Sequence, residues 1–123
     1  MTLKGTERLP KSARLLKRAE FLKLSRTGAK LQSASFIVIS STNHRPESRL
    51  GITVSGKVGN AVIRNRIKRQ VREFFRRRRA VLRPGRDILV IARKDAAGLA
   101  GRSIESELGR ALNPQSMRRG IIP

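Results

Sequence analysis

Cysteine is missing from all 123 residues, which removes disulfides, thiolate nucleophiles and thiolate metal sites together. Histidine occurs once, as His44, inside the hydrophilic stretch Ser40 to Ser48 with Asn43 and Pro46, the setting of a turn residue more than of a general base. Acids are few: eight Asp plus Glu, scattered along the chain. Metal-dependent phosphodiester cleavage by a protein relies on converging carboxylates. Glu105 and Glu107 are two apart on an expected helix, where such side chains do not face each other, and Asp87 and Asp95 bracket an expected strand. No apolar run is long enough for a bilayer; the longest, Ile88 to Ala92, is strand-sized. The first residues carry Lys4, Arg8 and Lys11 but no hydrophobic stretch of signal-peptide length. These absences predict a reducing, cytoplasmic protein without a membrane partner and without a catalytic site of its own.

What is abundant is positive charge. Lys plus Arg number 29 against 8 acids, a formal charge of +21 and a pI near 12.0. Such an excess is self-repelling, far beyond what solubility needs, and points to a polyanion as the usual partner, nucleic acid first. The length suits one domain with a single core.

Met1 to Ala13 and Asn113 to Pro123 mix Gly, Pro and charge without a period and read as loose tails around a domain from Arg14 to Leu112. Within it, Arg14 to Thr27 predicts a short helix ended by Gly28 in a left-handed cap. Ser35 to Ser41 and Arg49 to Ser55 predict two strands, read as an antiparallel pair joined by a polar loop. Asp87 to Arg93, entered through Pro84-Gly85, is apolar nearly throughout and predicts a central strand covered on both faces. A last amphipathic helix carries Ile104, Leu108, Ala111 and Leu112, with Ser103 as its N-cap.

The long helix is the most informative segment. It begins at Asn60, a good N-cap after Gly59, and meets neither Gly nor Pro until Pro84. At about 100° per residue Ile63, Ile67, Val71 and Phe74 share one face with Phe75 at its margin, while Asn65, Lys68, Arg69, Arg72 and Arg76 gather opposite. The apolar face predicts burial on the sheet. The basic face contains one acid, Glu73, among Arg64, Arg66, Lys68, Arg69, Arg72 and the run Arg76 to Arg79, so it lacks the mixed signs of an ordinary solvated helix.

Val54 to Arg72 reads VSGKVGNAVIRNRIKRQVR. This stretch resembles the signature of the bacterial ribonuclease P proteins, centred on Arg64-Asn65-Arg66, preceded by Lys57, Gly59 and Ala61 and followed by Lys68-Arg69. The similarity extends to Leu15, Glu20-Phe21, the strand Leu50 to Ser55 and the strand Asp87 to Arg93. It implies an α+β single-domain sandwich: about four mostly antiparallel strands with three helices, in the order α-β-β-β-α-β-α, with a left-handed crossover through the basic helix, against the usual right-handed rule. It also implies the protein subunit of a ribozyme whose RNA removes the 5′ leader of precursor tRNA, with Mg²⁺ held mainly by that RNA. The partners implied are the catalytic RNA and precursor tRNA, and the protein alone is expected to be monomeric.

By the same resemblance Lys57, Asn60, Arg64, Asn65, Arg66, Lys68, Arg69 and Arg72 are candidate RNA contacts. Guanidinium forks suit phosphates, and Asn65 suits a base edge or ribose hydroxyl. Arg66 is the awkward member, lying on the flank of the basic face. The backbone amides at Gly59 and Asn60 add an anion seat. The leader would lie between the sheet and the first helix near Phe21 and Phe36, each also readable as ordinary core. Relatives often have aromatics where this chain has Ser25 and Ile39, and a basic residue where it has Gly56. Alternatives are a KH-like module, because Gly56-Lys57-Val58-Gly59 fits a GXXG loop, a membrane-surface or calmodulin-type basic helix, and a protein endonuclease acting alone.

Overall fold

A computed structural model describes residues 13–14, 17–78 and 85–112. In chain order its elements are α1 (Arg18–Thr27), β1 (Ala29–Gln32), β2 (Phe36–Thr42), β3 (Arg49–Thr53), α2 (Ala61–Arg78), β4 (Arg86–Ala92), a 3-10 turn (Lys94–Gly98) and α3 (Gly101–Ala111). This is the expected α-β-β-β-α-β-α order, on a four-stranded sheet arranged β1-β2-β4-β3. The expected tails lie outside the described residues except for Ala13, which is buried in the core, while Arg14 bridges to Leu50. Leu15, Arg79 and Pro84 are also outside them.

β4 is central, as its doubly apolar run predicts. It pairs antiparallel with β2 through Phe36↔Ala92 to Thr42↔Arg86 and parallel with β3 through Arg49↔Asp87 to Thr53↔Ile91. The expected hairpin of β2 with β3 is therefore incorrect: the two strands run in opposite directions but β4 lies between them. A strand apolar on both faces gains most from neighbours on both edges, and the polar loop is long enough to step over its end. That step is tied down around Gly85, whose amide donates to the Arg45 carbonyl at 2.9 Å and whose carbonyl accepts from Asn43 at 3.2 Å. A Cβ at Gly85 would lie 2.4 Å from the carbonyl oxygens of Arg45 and Glu47, so no other residue fits there.

Side chains alternate between the two faces of the sheet. Phe36, Val38, Leu50, Ile88, Val90 and Ala92 face α2 and α3 and form the main core with Ile67, Val71, Phe74, Phe75, Ile104 and Leu108. On the other face Ile39 and Leu89 meet Leu24 of α1 in a smaller cluster flanked by Phe21, Ile37 and Ile91. Helix α1 thus covers only part of its side of the sheet.

The helices correct several boundaries. Gly28 does end α1, its amide donating to Leu24, but with φ −77° and not through a left-handed turn. Glycine is needed there for proximity, since a Cβ would come within 2.6 Å of Ile39 Cγ2. In α2 the buried residues are Ile67, Val71, Phe74 and Phe75, so Phe75 belongs to the core and Ile63 to its edge. Helix α3 starts at Gly101 with Ala100, not Ser103, as its N-cap, because Ser103 and Ile104 already donate to the Ala100 carbonyl. Within α3, Glu107 turns inward and accepts from the Ser35 amide at 2.6 Å and from the Ser33 hydroxyl, tying the β1–β2 turn to the helix. Burial pushes its carboxyl up, but these hydrogen bonds and the charge of Arg110 hold it below the usual carboxylate range.

Candidate nucleic-acid interface

Helix α2 is fixed at its start by Asn60, whose Oδ1 accepts from the Ile63 amide at 3.0 Å, and by Gly59, where a Cβ would lie 2.9 Å from Ile63 Cγ2. From there the helix divides electrostatically. In its last turn the arginines have partners: Arg76 pairs with Glu73 at 3.0 Å, Arg77 with Glu105, and Arg78 lies 4.1 Å from the centroid of Phe74. Before that last turn, no acid among the described residues forms an ion pair with Arg64, Lys68, Arg69 or Arg72. Asn65, Arg69 and Arg72 are exposed, and Arg64 and Lys68 half-buried. The Nε of Arg64 is enclosed without a hydrogen-bond partner. Desolvation and the nearby charge of Arg14 draw the Arg72 guanidinium below its ordinary value, as expected where like charges are held together.

Two candidate contacts are otherwise occupied. Asn60 spends its side-chain oxygen on the cap, leaving its exposure as the loop's, beside exposed Lys57. Arg66 is half-buried, and its two terminal nitrogens donate to the carbonyls of Leu99 and Ala97, both at 2.8 Å. The flank position read from the helical period is thus the position from which a guanidinium reaches the neighbouring 3-10 turn.

The opposite side of the sheet holds the second candidate region. Three register rows cross it. Gln32, Ile37, Ile91 and Thr53 form one; Lys30, Ile39, Leu89 and Gly51 the next; Ser41, Asp87 and Arg49 the third. Helix α1 lies over the middle row. Phe21, Ile37 and Ile91 each pack half-buried against the Leu24, Ile39 and Leu89 cluster, and with Gln32 and Thr53 exposed the first row is partly open. Phe36 is wholly buried and faces the main core, so in this arrangement its ring offers no surface to a base. Ile39, in place of an aromatic, is sealed beneath Leu24.

The third row borders a cavity of about 250 Å³ that the sequence did not reveal, lined among others by Lys23, Thr27, His44 and Arg45. Its wall is an ion cluster: Arg49 forks to Asp87 at 2.9 and 2.7 Å and reaches Glu20 at 3.0 Å, while Asn43 donates to Asp87 at 3.0 Å. Burial raises the Asp87 carboxyl, but Arg49 and Asn43 outweigh it and hold it below its usual range; the hydrogen bond to Asp87, against the cost of burial, raises Arg49 in turn. Arg49 and Asp87 open adjacent parallel strands, a juxtaposition visible only once the sheet order is known. His44, at φ 60°, is the turn residue its surroundings suggested.

Glu105 pairs outward with Arg77 and Glu107 turns inward, so the two do not converge. Among the described residues no three metal-ligating side chains come together, and Glu20 and Asp87 meet around a guanidinium. No described helix is long and apolar enough to cross a membrane. The Gly56 to Gly59 turn joins a strand to a helix, not the two helices of a KH module.

Comparison with known proteins agrees with this geometry. The sequence profile of the family described as Ribonuclease P matches residues 9–115. A ribonuclease P protein component of Desulforapulum autotrophicum is 51% identical over 106 residues, covering 86% of this chain and 91% of the relative. That of Citrifermentans bemidjiense is 43% identical over 102 residues, covering 83% and 87%. Among solved structures, a mutant Staphylococcus aureus RNase P protein with defective mRNA degradation activity superposes with a TM-score of 0.80 at 36% identity, over 86% of this chain and 90% of that one. The Thermotoga maritima RNase P protein gives 0.74 at 39% identity, over 80% and 94%.

Proposed function

Since the chain belongs to the bacterial ribonuclease P protein family, we propose that it meets the catalytic RNA through α2 ahead of its last turn, with Arg64, Asn65, Lys68, Arg69 and Arg72 as contacts and Lys57 beside them. Membership makes it the protein component of a ribonucleoprotein endonuclease: it binds the catalytic RNA and precursor tRNA and aids removal of the 5′ leader, the RNA performing the cleavage. The observation that carries the contact assignment is the division of α2, whose last-turn arginines are internally partnered while Arg64, Lys68, Arg69 and Arg72 form no ion pair, Glu73 being taken by Arg76. Helical cations left in that state repel one another until phosphates arrive. The backbone amides at Gly59 and Asn60, at the positive end of the helix, suit a further phosphate.

The leader is assigned to the partly open row Gln32, Ile37, Ile91 and Thr53 beside α1, with Phe21 of α1 packed on the same small cluster as Ile37 and Ile91. With Phe36 buried and Ser25 and Ile39 lacking rings, stacking there is limited to Phe21. Family membership implies Mg²⁺-dependent cleavage. Among the described carboxylates Glu20 and Asp87 are matched to Arg49, Glu73 to Arg76, Glu105 to Arg77 and Glu107 to the Ser35 amide, and no three metal-ligating side chains come together, so the magnesium is assigned to the RNA. The protein then acts by screening charge between catalytic RNA and substrate, in the cytoplasm, and joins the RNA as a monomer.

The direct test replaces Arg64, Lys68 and Arg69 together with alanine and measures affinity for the catalytic RNA across salt. Each phosphate contact contributes about 0.7 to 0.9 to the slope of log K against log salt, so the triple variant should flatten it by about two. An unchanged slope removes the assignment.

A further inference from the structure

Arg66 is the second arginine of the Arg64-Asn65-Arg66 triplet, yet its terminal nitrogens are turned from solvent onto the Leu99 and Ala97 carbonyls, each at 2.8 Å. Those carbonyls lie where the 3-10 turn ends and the chain enters α3. Ala97 and Leu99 also pack against the main core. One turn further along α2, Gln70 lies so close to Gly101 that a Cβ there would come within 2.7 Å of its Oε1. Helix α2 therefore meets the segment 97–101 at two successive turns. Apolar packing supplies the attraction at this joint, and the Arg66 fork supplies direction, because two hydrogen bonds to fixed carbonyls set an angle that side-chain contact alone does not.

We propose that Arg66 is a positioning residue for RNA recognition: a latch between α2 and the segment 97–101 that sets how Arg64, Asn65, Lys68 and Arg69 face the RNA, without holding a phosphate itself. The inference rests on the reading that α2 ahead of its last turn faces the RNA. Lysine is the informative replacement. It keeps the charge and reach that a phosphate contact needs, but it presents a point donor in place of a planar fork and leaves a carbonyl without its partner.

The experiment uses the full chain and the catalytic RNA, with circular dichroism establishing that each variant is folded at the assay temperature. R66K should bind the RNA about three- to tenfold more weakly, with the salt slope of the wild type. In the protein without RNA, R66K should speed amide hydrogen exchange across 97–101. Because the latch acts through the contact residues, R66K should cost little more affinity once Arg64, Lys68 and Arg69 are already alanine, a non-additivity that general loss of stability would not produce. Wild-type affinity and exchange in R66K overturn the proposal. So do fully additive losses, or a fall in slope for Arg66→Ala as large as for Arg69→Ala. If Arg69→Ala leaves the slope intact, the RNA-facing reading fails instead, and the exchange measurement still decides the latch.

Discussion

A single side chain's direction decides its role more than its type does. Phe21 and Phe36 are equivalent in composition, but one stands at the margin of an open row and the other is sealed among Val38, Phe74 and Phe75. Phe21→Ala should weaken binding of precursor tRNA by about 1 to 3 kcal/mol with little effect on mature tRNA, measured by titration of the two substrates against the assembled ribonucleoprotein. Equal losses would remove Phe21 from the leader site. Phe36→Ala should destabilise the fold by about 3 to 5 kcal/mol in urea unfolding, through a cavity in the main core. Glu107 offers a test with a sign. Its carboxyl is depressed in the folded state, so its contribution is complete above the ordinary carboxylate pKa of about 4.3 and is lost as pH falls through the folded value. Glu107→Gln should therefore cost about 1 to 3 kcal/mol at neutral pH, with the difference from wild type narrowing in acid. A gap that stays constant down to strongly acid pH would show that the charge contributes nothing.

Elements were legible in proportion to how local their causes are. Helix α2 was clear because its period, its Asn60 cap and the lack of a breaker all lie within it. Ser103 is an attractive cap by type, yet α3 starts at Gly101 with Ala100 as its N-cap, where the chain passes close to Gln70 of α2, a contact no local pattern shows. β1 has four residues of alternating exposure and little apolar character; its presence followed from the resemblance, not from its pattern. The division of α2 into a matched last turn and an unmatched stretch before it was hidden, since Glu105 arrives from another helix and the Phe74 ring from the core side. It gives a prediction for the element: Arg69→Ala should reduce the salt slope of RNA binding by about 0.7 to 0.9, and Arg77→Ala by much less. Equal reductions would place the RNA along the whole helix.

For the whole molecule, the charge of +21 over 123 residues points to a polyanionic partner from the sequence alone, because a polyanion relieves such repulsion. Reconstitution with the catalytic RNA should therefore show the largest effect of the protein on precursor cleavage at low magnesium, shrinking as magnesium rises and screens the same phosphates. A benefit independent of magnesium would argue against charge screening. The amino-acid order by itself also determined a single α+β domain, the central place of β4 and the basic helix with its signature, since each follows from periodicity, composition or a contiguous motif. Only the tertiary structure decided that β4 separates β2 from β3, that Arg49 gathers Asp87 and Glu20, that Phe36 is buried, and that Arg66 turns inward to Ala97 and Leu99. The physical reason is range: a residue's period and neighbours set which element it joins, but which way it faces and what it meets depend on groups brought beside it from distant parts of the chain.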